Sequence, residues 1–139
     1  MNMKDHLKNF AKTSSGSSYA FLTFECTHKM LKSINVHVGI WQKIRPYEFL
    51  EEIDLSYNKL KSLKYLSGLK YLVKVVAINN ELTSIFDVKN PPLHLDYLNV
   101  SSNAIVKMSD LSCHKHLRIL NLRGNQIVQM GGIDKNKKL

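Results

Sequence analysis

Leu50-Glu-Glu-Ile-Asp-Leu-Ser-Tyr-Asn58 is the stretch that decides the fold, because it recurs three times further along the chain. The copies begin at Leu72, Leu95 and Leu117 and end at Asn80, Asn103 and Asn125. Their first residues follow one another at intervals of 22, 23 and 22 residues, and apolar residues recur at the second, fifth and eighth place after each asparagine. A period in the low twenties with this spacing is typical of a stacked repeat.

The spacing predicts a solenoid in which every repeat adds a short strand to a parallel sheet, since one unit cannot bury its apolar edge alone. We number each repeat from its first leucine, so that position one is Leu50 in the first copy. Because side chains alternate along a strand, positions four and six point inward and positions three, five and seven point outward. At position nine a structural ladder is expected to hydrogen-bond the turning backbone. The ladder consists of Asn58, Asn80, Asn103 and Asn125.

These motifs resemble the 22-residue leucine-rich repeats of a protein phosphatase 1 regulatory subunit, a cytosolic class with many ciliary and axonemal members. Within the class, Asn80 to Asp87, Pro91-Pro92 and Met108 to Ser112 are similar to the repeat region of leucine-rich repeat and guanylate kinase domain proteins of sperm and cilia. The resemblance implies an α/β solenoid, an arc with a short parallel β-sheet on its concave face and helical, 3-10 or extended returns on its convex face. It also implies scaffolding of a protein partner, often in microtubule-based structures.

The chain is expected to have three parts. Residues 1–18 are polar and small, which predicts a disordered leader. Residues 19–49 are interpreted as a degenerate capping repeat with an insertion that carries Trp41, either packed over the end of the sheet or exposed as an anchor for a partner. The apolar positions of that repeat are Phe21, Phe24, Cys26, Leu31 and Ile34. Residues 50–139 hold four repeats, at 50–71, 72–94, 95–116 and 117–138.

The net charge of +9 is compatible with an acidic partner or with a lysine-rich solvated surface. No aromatic residues alternate with the lysines of the first repeat, as a base-stacking platform would require, so nucleic acid is the lesser candidate. The chain has no phosphate-binding loop, dinucleotide fingerprint, nucleophile elbow or HExxH motif, and no cofactor or catalytic activity is indicated. The Cys113-His114-Lys115-His116 segment lacks the usual spacing of metal ligands, so no metal is expected there.

Cys26 and Cys113 are far apart, and as free thiols they predict a reducing, cytoplasmic compartment. The resemblance refines this expectation to the cilium or axoneme. The sequence shows no signal peptide and no apolar run of membrane-spanning length, so no membrane partner is expected. Ile127, Met130 and Ile133 of the fourth repeat are expected to face solvent, which favours a fragment, a short isoform or a prematurely ended reading of a longer array.

The candidate binding site consists of outward residues on the strands and their ends. It comprises Glu52, Asp54, Tyr57, Lys74, Val76, Ile78, Tyr97, Asn99, Asn121 and Arg123. Val76 and Ile78 form an apolar centre with charged neighbours, which is typical of protein contact surfaces, although β-branched residues also simply suit strands. We therefore predict a non-enzymatic scaffold that binds a protein through its concave face. The alternatives are a basic adaptor in a ribonucleoprotein or nucleic-acid complex and a phosphatase regulatory subunit.

Overall fold

The computed structural model describes residues 3–13, 16, 19–32, 49–86, 90–108, 110–129, 132–133 and 137–139. Its strands are β1 (Leu7–Lys12), β2 (Tyr19–Glu25), β3 (Glu52–Asp54), β4 (Lys74–Val76), β5 (Tyr97–Asn99) and β6 (Ile119–Asn121). Short 3-10 helices occupy Met3–His6 and Lys64–Leu66. Among these described segments, no helix has the length and apolar character needed to cross a membrane.

The strands form one sheet in chain order, and every neighbouring pair from β2 to β6 is parallel. Equivalent repeat positions lie side by side, so that Ile53 pairs with Val75 and Leu98 pairs with Leu120. This register confirms the predicted solenoid with a short parallel sheet. In the described returns the backbone forms turns, bends and the 3-10 helix at Lys64–Leu66, without an α-helix.

The recurring apolar residues form the core. Position one is 0% exposed in all four repeats, at Leu50, Leu72, Leu95 and Leu117. Each fully buried leucine contributes roughly 1.5–3 kcal/mol through the hydrophobic effect. Burial decreases at the last repeat, because β6 is an edge strand of the sheet. The partly buried residues there are Leu120, Leu122, Ile127 and Ile133.

The N-terminal segment differs from the expected disordered leader. Leu7–Lys12 forms β1 and pairs antiparallel with β2 in a hairpin. Leu7 packs against the core and Ala20 is 3% exposed, so one side of the hairpin is buried. The physical reason is that β2 would otherwise be an open edge, and β1 pairs with its backbone N–H and C=O groups.

β2 takes the place of the strand in a first repeat. Phe24 lies opposite Ile53, and both Phe24 and Cys26 are buried at the positions assigned to them. The remainder of the capping repeat stays a prediction, because residues 33–48, with Ile34 and the Trp41 insertion, lie outside the described residues. The boundaries of the four following repeats also remain predictions, although each of their strands starts at position three.

Candidate functional site

The asparagines at position nine hold the inner turns of the solenoid. Asn103 is 8% exposed, and its Nδ2 donates to the carbonyl oxygens of Ala77 at 2.9 Å and Val100 at 3.0 Å. Its Oδ1 accepts from the Leu82 N–H at 3.0 Å. Equivalent bonds are made by Asn58, Asn80 and Asn125. Each side chain therefore ties its own repeat to the preceding one, which is a structural role.

The residue before position nine has left-handed backbone in the four repeats and also before Lys29, which takes position nine after β2. The angle φ is 56° at His28, 58° at Tyr57, 54° at Asn79, 54° at Ser102 and 69° at Gly124. This conformation is uncommon for residues other than glycine, and here it turns the chain from the strand into the interior of the solenoid. The rings of His28 and Tyr57 stack with centroids 4.3 Å apart, and Tyr57 is 47% exposed. The repeat pattern selected Tyr57 but did not reveal this stack.

Position five is predicted to face outward, and the structure gives it a second role. Side-chain oxygens of Asp54, Asn99 and Asn121 accept the N–H groups of Ser56, Ser101 and Arg123 at 2.9, 3.1 and 3.0 Å. Such bonds to the residue two places on are Asx turns, which compete with a continuing strand. Asn99 is only 7% exposed, because its side chain is turned onto the backbone. The structure thus makes Asn99 a turn residue with little surface for a partner.

Val76 is the exception at position five. A valine side chain has no acceptor, and the Ile78 N–H instead donates to the Ser56 Oγ of the neighbouring repeat at 3.2 Å. Val76 and Ile78 are half-buried, because strands lie on both sides of β4. Tyr97 on β5 pairs in register with Lys74, so it lies diagonally from Val76 and further from Ile78, and it is also half-buried. Apolar side chains therefore lie at the centre of the face, and only part of their surface is exposed.

Charged groups surround this centre. The Lys74 Nζ lies 3.4 Å from the Glu52 carboxylate and 5.9 Å from the centroid of the Tyr97 ring. The two charged side chains are 45% and 48% exposed, so their pairing stabilises the fold by less than about 1 kcal/mol. Ile119 continues the row of position-three residues on β6 and is 51% exposed, although the predicted site does not include it. Arg123 is exposed near that end of the face.

A second group of aromatic residues lies on the hairpin. We call Phe10, Tyr19 and Phe21 the hairpin cluster. The Phe10 centroid lies 6.1 Å from that of Tyr19 and 5.1 Å from that of Phe21. Phe10 is 64% exposed and Tyr19 is 66% exposed. Sequence reasoning missed the cluster, since its two halves come together only when the expected leader is recognised as a strand.

A groove of about 660 Å³ runs along the edge of the sheet where the strands begin. His94 and His116 stack in it with centroids 5.8 Å apart. Beside them Arg118 donates hydrogen bonds of 2.5 and 2.7 Å to Asp96. These hydrogen bonds lower the pKa of the Asp96 carboxyl. The groove shares no residue with the predicted site.

His114 and Cys26 lie outside the face and are buried. His114 is 1% exposed, and its Nδ1 lies 3.0 Å from the Pro92 carbonyl oxygen. Burial lowers the pKa of His114. Burial also raises the pKa of the Cys26 thiol, which is 0% exposed. Across the part of the chain that the structure describes, no group of three or more His, Cys, Asp or Glu residues is placed to hold a metal.

Comparison with known proteins agrees with the repeat geometry. A family model described as Leucine Rich repeat matches residues 113–131, which include β6. The human leucine-rich repeat and guanylate kinase domain-containing protein is 30% identical to this chain over 85 residues. That match covers 61% of this chain and 10% of the human protein, so the chain spans about a tenth of that relative.

Proposed function

We propose that this chain, a leucine-rich repeat protein, is a non-enzymatic scaffold that binds a protein partner through the concave face of its sheet. Leucine-rich repeat domains generally serve as protein-interaction modules, and solenoids use their extended concave surface for this purpose. The concave face consists here of the outward residues of β3 to β6 and of the residues that follow each strand. It offers apolar, aromatic, amide and charged side chains, which suit binding.

The observation that supports the proposal most directly is the missing Asx turn at Val76. Asp54, Asn99 and Asn121 stabilise the strand ends with Asx turns, whereas β4 has valine at that position and lacks this bond. Proteins depart from a stabilising local pattern most often at functional sites. Because Ile78 lies on the same side of the chain as Val76, the valine produces an apolar patch in a row of position-five residues that are otherwise polar.

The partner that fits this face has an apolar side chain flanked by polar groups. The apolar side chain would cover Val76 together with the adjacent carbon surface of either Ile78 or Tyr97, where water is displaced from half-buried carbon surface. Polar groups of both charges would face the surrounding residues. Those residues are Glu52, Asp54, Tyr57, Lys74, Asn121 and Arg123.

A double variant tests the proposal. Val76→Asp with Tyr97→Ala places a charge in the apolar centre and removes its largest side chain, so we expect partner capture to fall about tenfold or more. The aspartate should be compatible with the fold, because Asp54 occupies the same repeat position and forms a turn there. The measurement is affinity capture with tagged chain, followed by quantitative mass spectrometry.

Val106→Asp is the matched control, since Val106 is 44% exposed and lies in a return rather than on the sheet. Proteins retained by this control but lost by the double variant would be partners of the concave face. If the double variant captured the same proteins in the same amounts as the wild-type chain, the proposal would be wrong. Circular dichroism of both variants shows whether the fold is retained.

The returns support a second candidate function, binding of nucleic acid. Four exposed lysines follow β3 in the first repeat, at Lys59, Lys61, Lys64 and Lys70. If each contacted a phosphate, affinity for an oligonucleotide should fall about 50- to 150-fold between 50 and 200 mM salt. A contact centred on Val76 and Tyr97 should be nearly insensitive to salt, so one titration distinguishes the two functions.

We further propose a cytoplasmic setting in cilia or axonemes, which is supported by the resemblance to ciliary members of the repeat class. Localisation of a tagged chain in ciliated cells tests this setting directly. Staining confined to other structures would contradict it without affecting the binding proposal. Regulation of a phosphatase rests on the class resemblance alone, and a phosphatase among the captured proteins would be required to support it.

A further inference from the structure

The hairpin is held in place by contacts that do not involve the hairpin cluster. The His6 Nδ1 lies 2.8 Å from the Glu25 carbonyl oxygen, and the Asn9 Nδ2 donates to the Thr23 Oγ1 at 2.8 Å. Leu7 packs against the core on the buried side of the sheet. The rings on the other side add cross-strand contacts, yet Phe10 and Tyr19 remain 64% and 66% exposed.

The hairpin cluster is continuous with the concave face. Side chains alternate along β2, so Tyr19 and Phe21 lie on the same side of the strand as Thr23 and Glu25. Thr23 and Glu25 pair in register with Glu52 and Asp54 of β3. A partner segment that crosses the concave face from β4 to β2 and then turns toward the start of β2 would reach the rings, because Phe21 lies two residues before Thr23. Two largely exposed aromatic side chains at that point are the kind of residue that anchors interfaces.

The charge beside the cluster is positive. Lys12 is exposed and lies directly opposite Tyr19 in the hairpin. Lys8 forms an ion pair with Glu25, whereas no carboxylate pairs with Lys12 among the residues described. Lys12 therefore has its charge available to a partner, and a carboxylate is the complementary group.

We propose that the hairpin cluster and Lys12 form a second docking point, which takes an apolar side chain of the protein partner with a carboxylate beside it. The inference rests on the proposed function, because the same partner segment continues from the concave face. Phenylalanine, tyrosine and leucine are the side chains that fit over the outer surface of the stacked Phe10 and Tyr19 rings, since each covers ring surface that is now exposed to water. The carboxylate pairs with the Lys12 ammonium.

The experiment uses fluorescently labelled short peptides that carry phenylalanine or leucine between glutamates, and the full chain as the receptor. Anisotropy titrations compare the wild-type chain with Phe10→Ala/Tyr19→Ala. We expect this variant to bind about tenfold or more weakly, the loss typical of an interface anchor. Peptides with alanine in place of the apolar residue should bind the wild-type chain equally weakly.

Lys12→Glu is the second variant, and it tests the charge without removing a ring. It should weaken binding of the glutamate peptides and strengthen binding of matched peptides that carry lysine instead. Because Lys12 is exposed, this variant gives an answer even if the double alanine variant fails to fold.

Several outcomes would overturn the inference. Unchanged affinity in Phe10→Ala/Tyr19→Ala, no binding of any glutamate peptide, or a preference of the wild-type chain for lysine peptides would each do so. Loss of a homodimer in the same variant would assign the rings to a second copy of the chain instead. The Val76→Asp/Tyr97→Ala variant separates this inference from the proposed function. Peptide binding lost there and retained in the hairpin variant refutes the inference alone, and the reverse result supports it, because the concave centre is tested separately by capture of the partner.

Discussion

At the scale of single residues, position five decides between a turn and a contact surface. A side-chain oxygen at position five closes the turn by accepting the N–H of the residue two places on. Asn99 does this for Ser101, and its side chain is buried as a result. A valine leaves the turn open and adds carbon surface, as at Val76. The period of two along a strand predicts the direction of both side chains, but it cannot predict which of them folds back onto the backbone. That difference explains why the predicted site included Asn99.

Val76→Asn should therefore be tolerated. The new amide oxygen can accept the Ile78 N–H as its counterparts do in three other repeats, which offsets the loss of half-buried carbon. We expect the free energy of unfolding to change by less than about 1 kcal/mol. The reverse change, Asn99→Val, should cost about 1–3 kcal/mol because it leaves the buried Ser101 N–H without its acceptor. Urea unfolding of both variants measures the difference, and equal losses would contradict the assignment of the turn.

His114 should make stability depend on pH. Its pKa is lowered in the folded chain by burial, whereas in the unfolded chain it should be about 6.5. The unfolded state then binds more protons in the window below that value, so stability falls as pH decreases through about 6.5 toward the lower pKa of the folded state. Above about pH 7 the residue is neutral in both states and contributes no pH dependence. Urea midpoints measured from pH 8 to pH 5 should fall less in His114→Gln than in the wild-type chain, and identical slopes would contradict the prediction.

At the scale of elements, the repeat pattern predicted β3 to β6 and missed β1. Each of the four repeat strands is specified by local spacing of apolar residues, which a single sequence displays. The pairing of β1 with β2 is specified by an open edge elsewhere in the fold, and the local sequence around Thr13 is polar and small. The residues proposed for the concave site could be selected for the same local reason. The hairpin cluster could not be selected in this way, because it requires the long-range pairing of Phe10 with Phe21.

Leu7→Ala tests how the hairpin is attached. Leu7 is the residue of β1 that packs against the core, so its truncation should weaken the hairpin by about 1–2 kcal/mol. Amide hydrogen exchange in Leu7–Lys12 should become faster, while exchange in β5 stays nearly unchanged, because local openings have their own free energies. Faster exchange at Leu98 as well would show that hairpin and solenoid open as one unit. Lys12→Ala, on the exposed side, serves as the control.

At the scale of the whole molecule, stability is a sum of contacts between neighbouring layers. Leu98 is 0% exposed and has Val75 on one side and Leu120 on the other. Leu120 has a described neighbour on one side only and is partly buried. In a linear array each layer stabilises the next, so a defect in the middle affects two contacts and a defect at the edge affects one.

Leu98→Ala should consequently destabilise the chain more than Leu120→Ala, although both remove the same atoms from the same repeat position. The central variant should cost about 2–5 kcal/mol, because it leaves a cavity between layers. The edge variant should cost less, since its side chain is already partly in contact with water. Urea denaturation of the two variants gives the comparison, and equal losses would contradict the layered account of stability.

The left-handed turn before each ladder asparagine limits which side chains that border of the protein can display. Valine, isoleucine and threonine are strongly disfavoured at such angles, and the residues found there are tyrosine, asparagine, serine and glycine, with His28 at the equivalent place before Lys29. In related chains, substitutions at this position should therefore replace aromatic, amide and hydroxyl side chains with one another. An aliphatic side chain that contacts a partner would instead be accommodated one residue earlier, at position seven, where Ile78 shows that the backbone allows it.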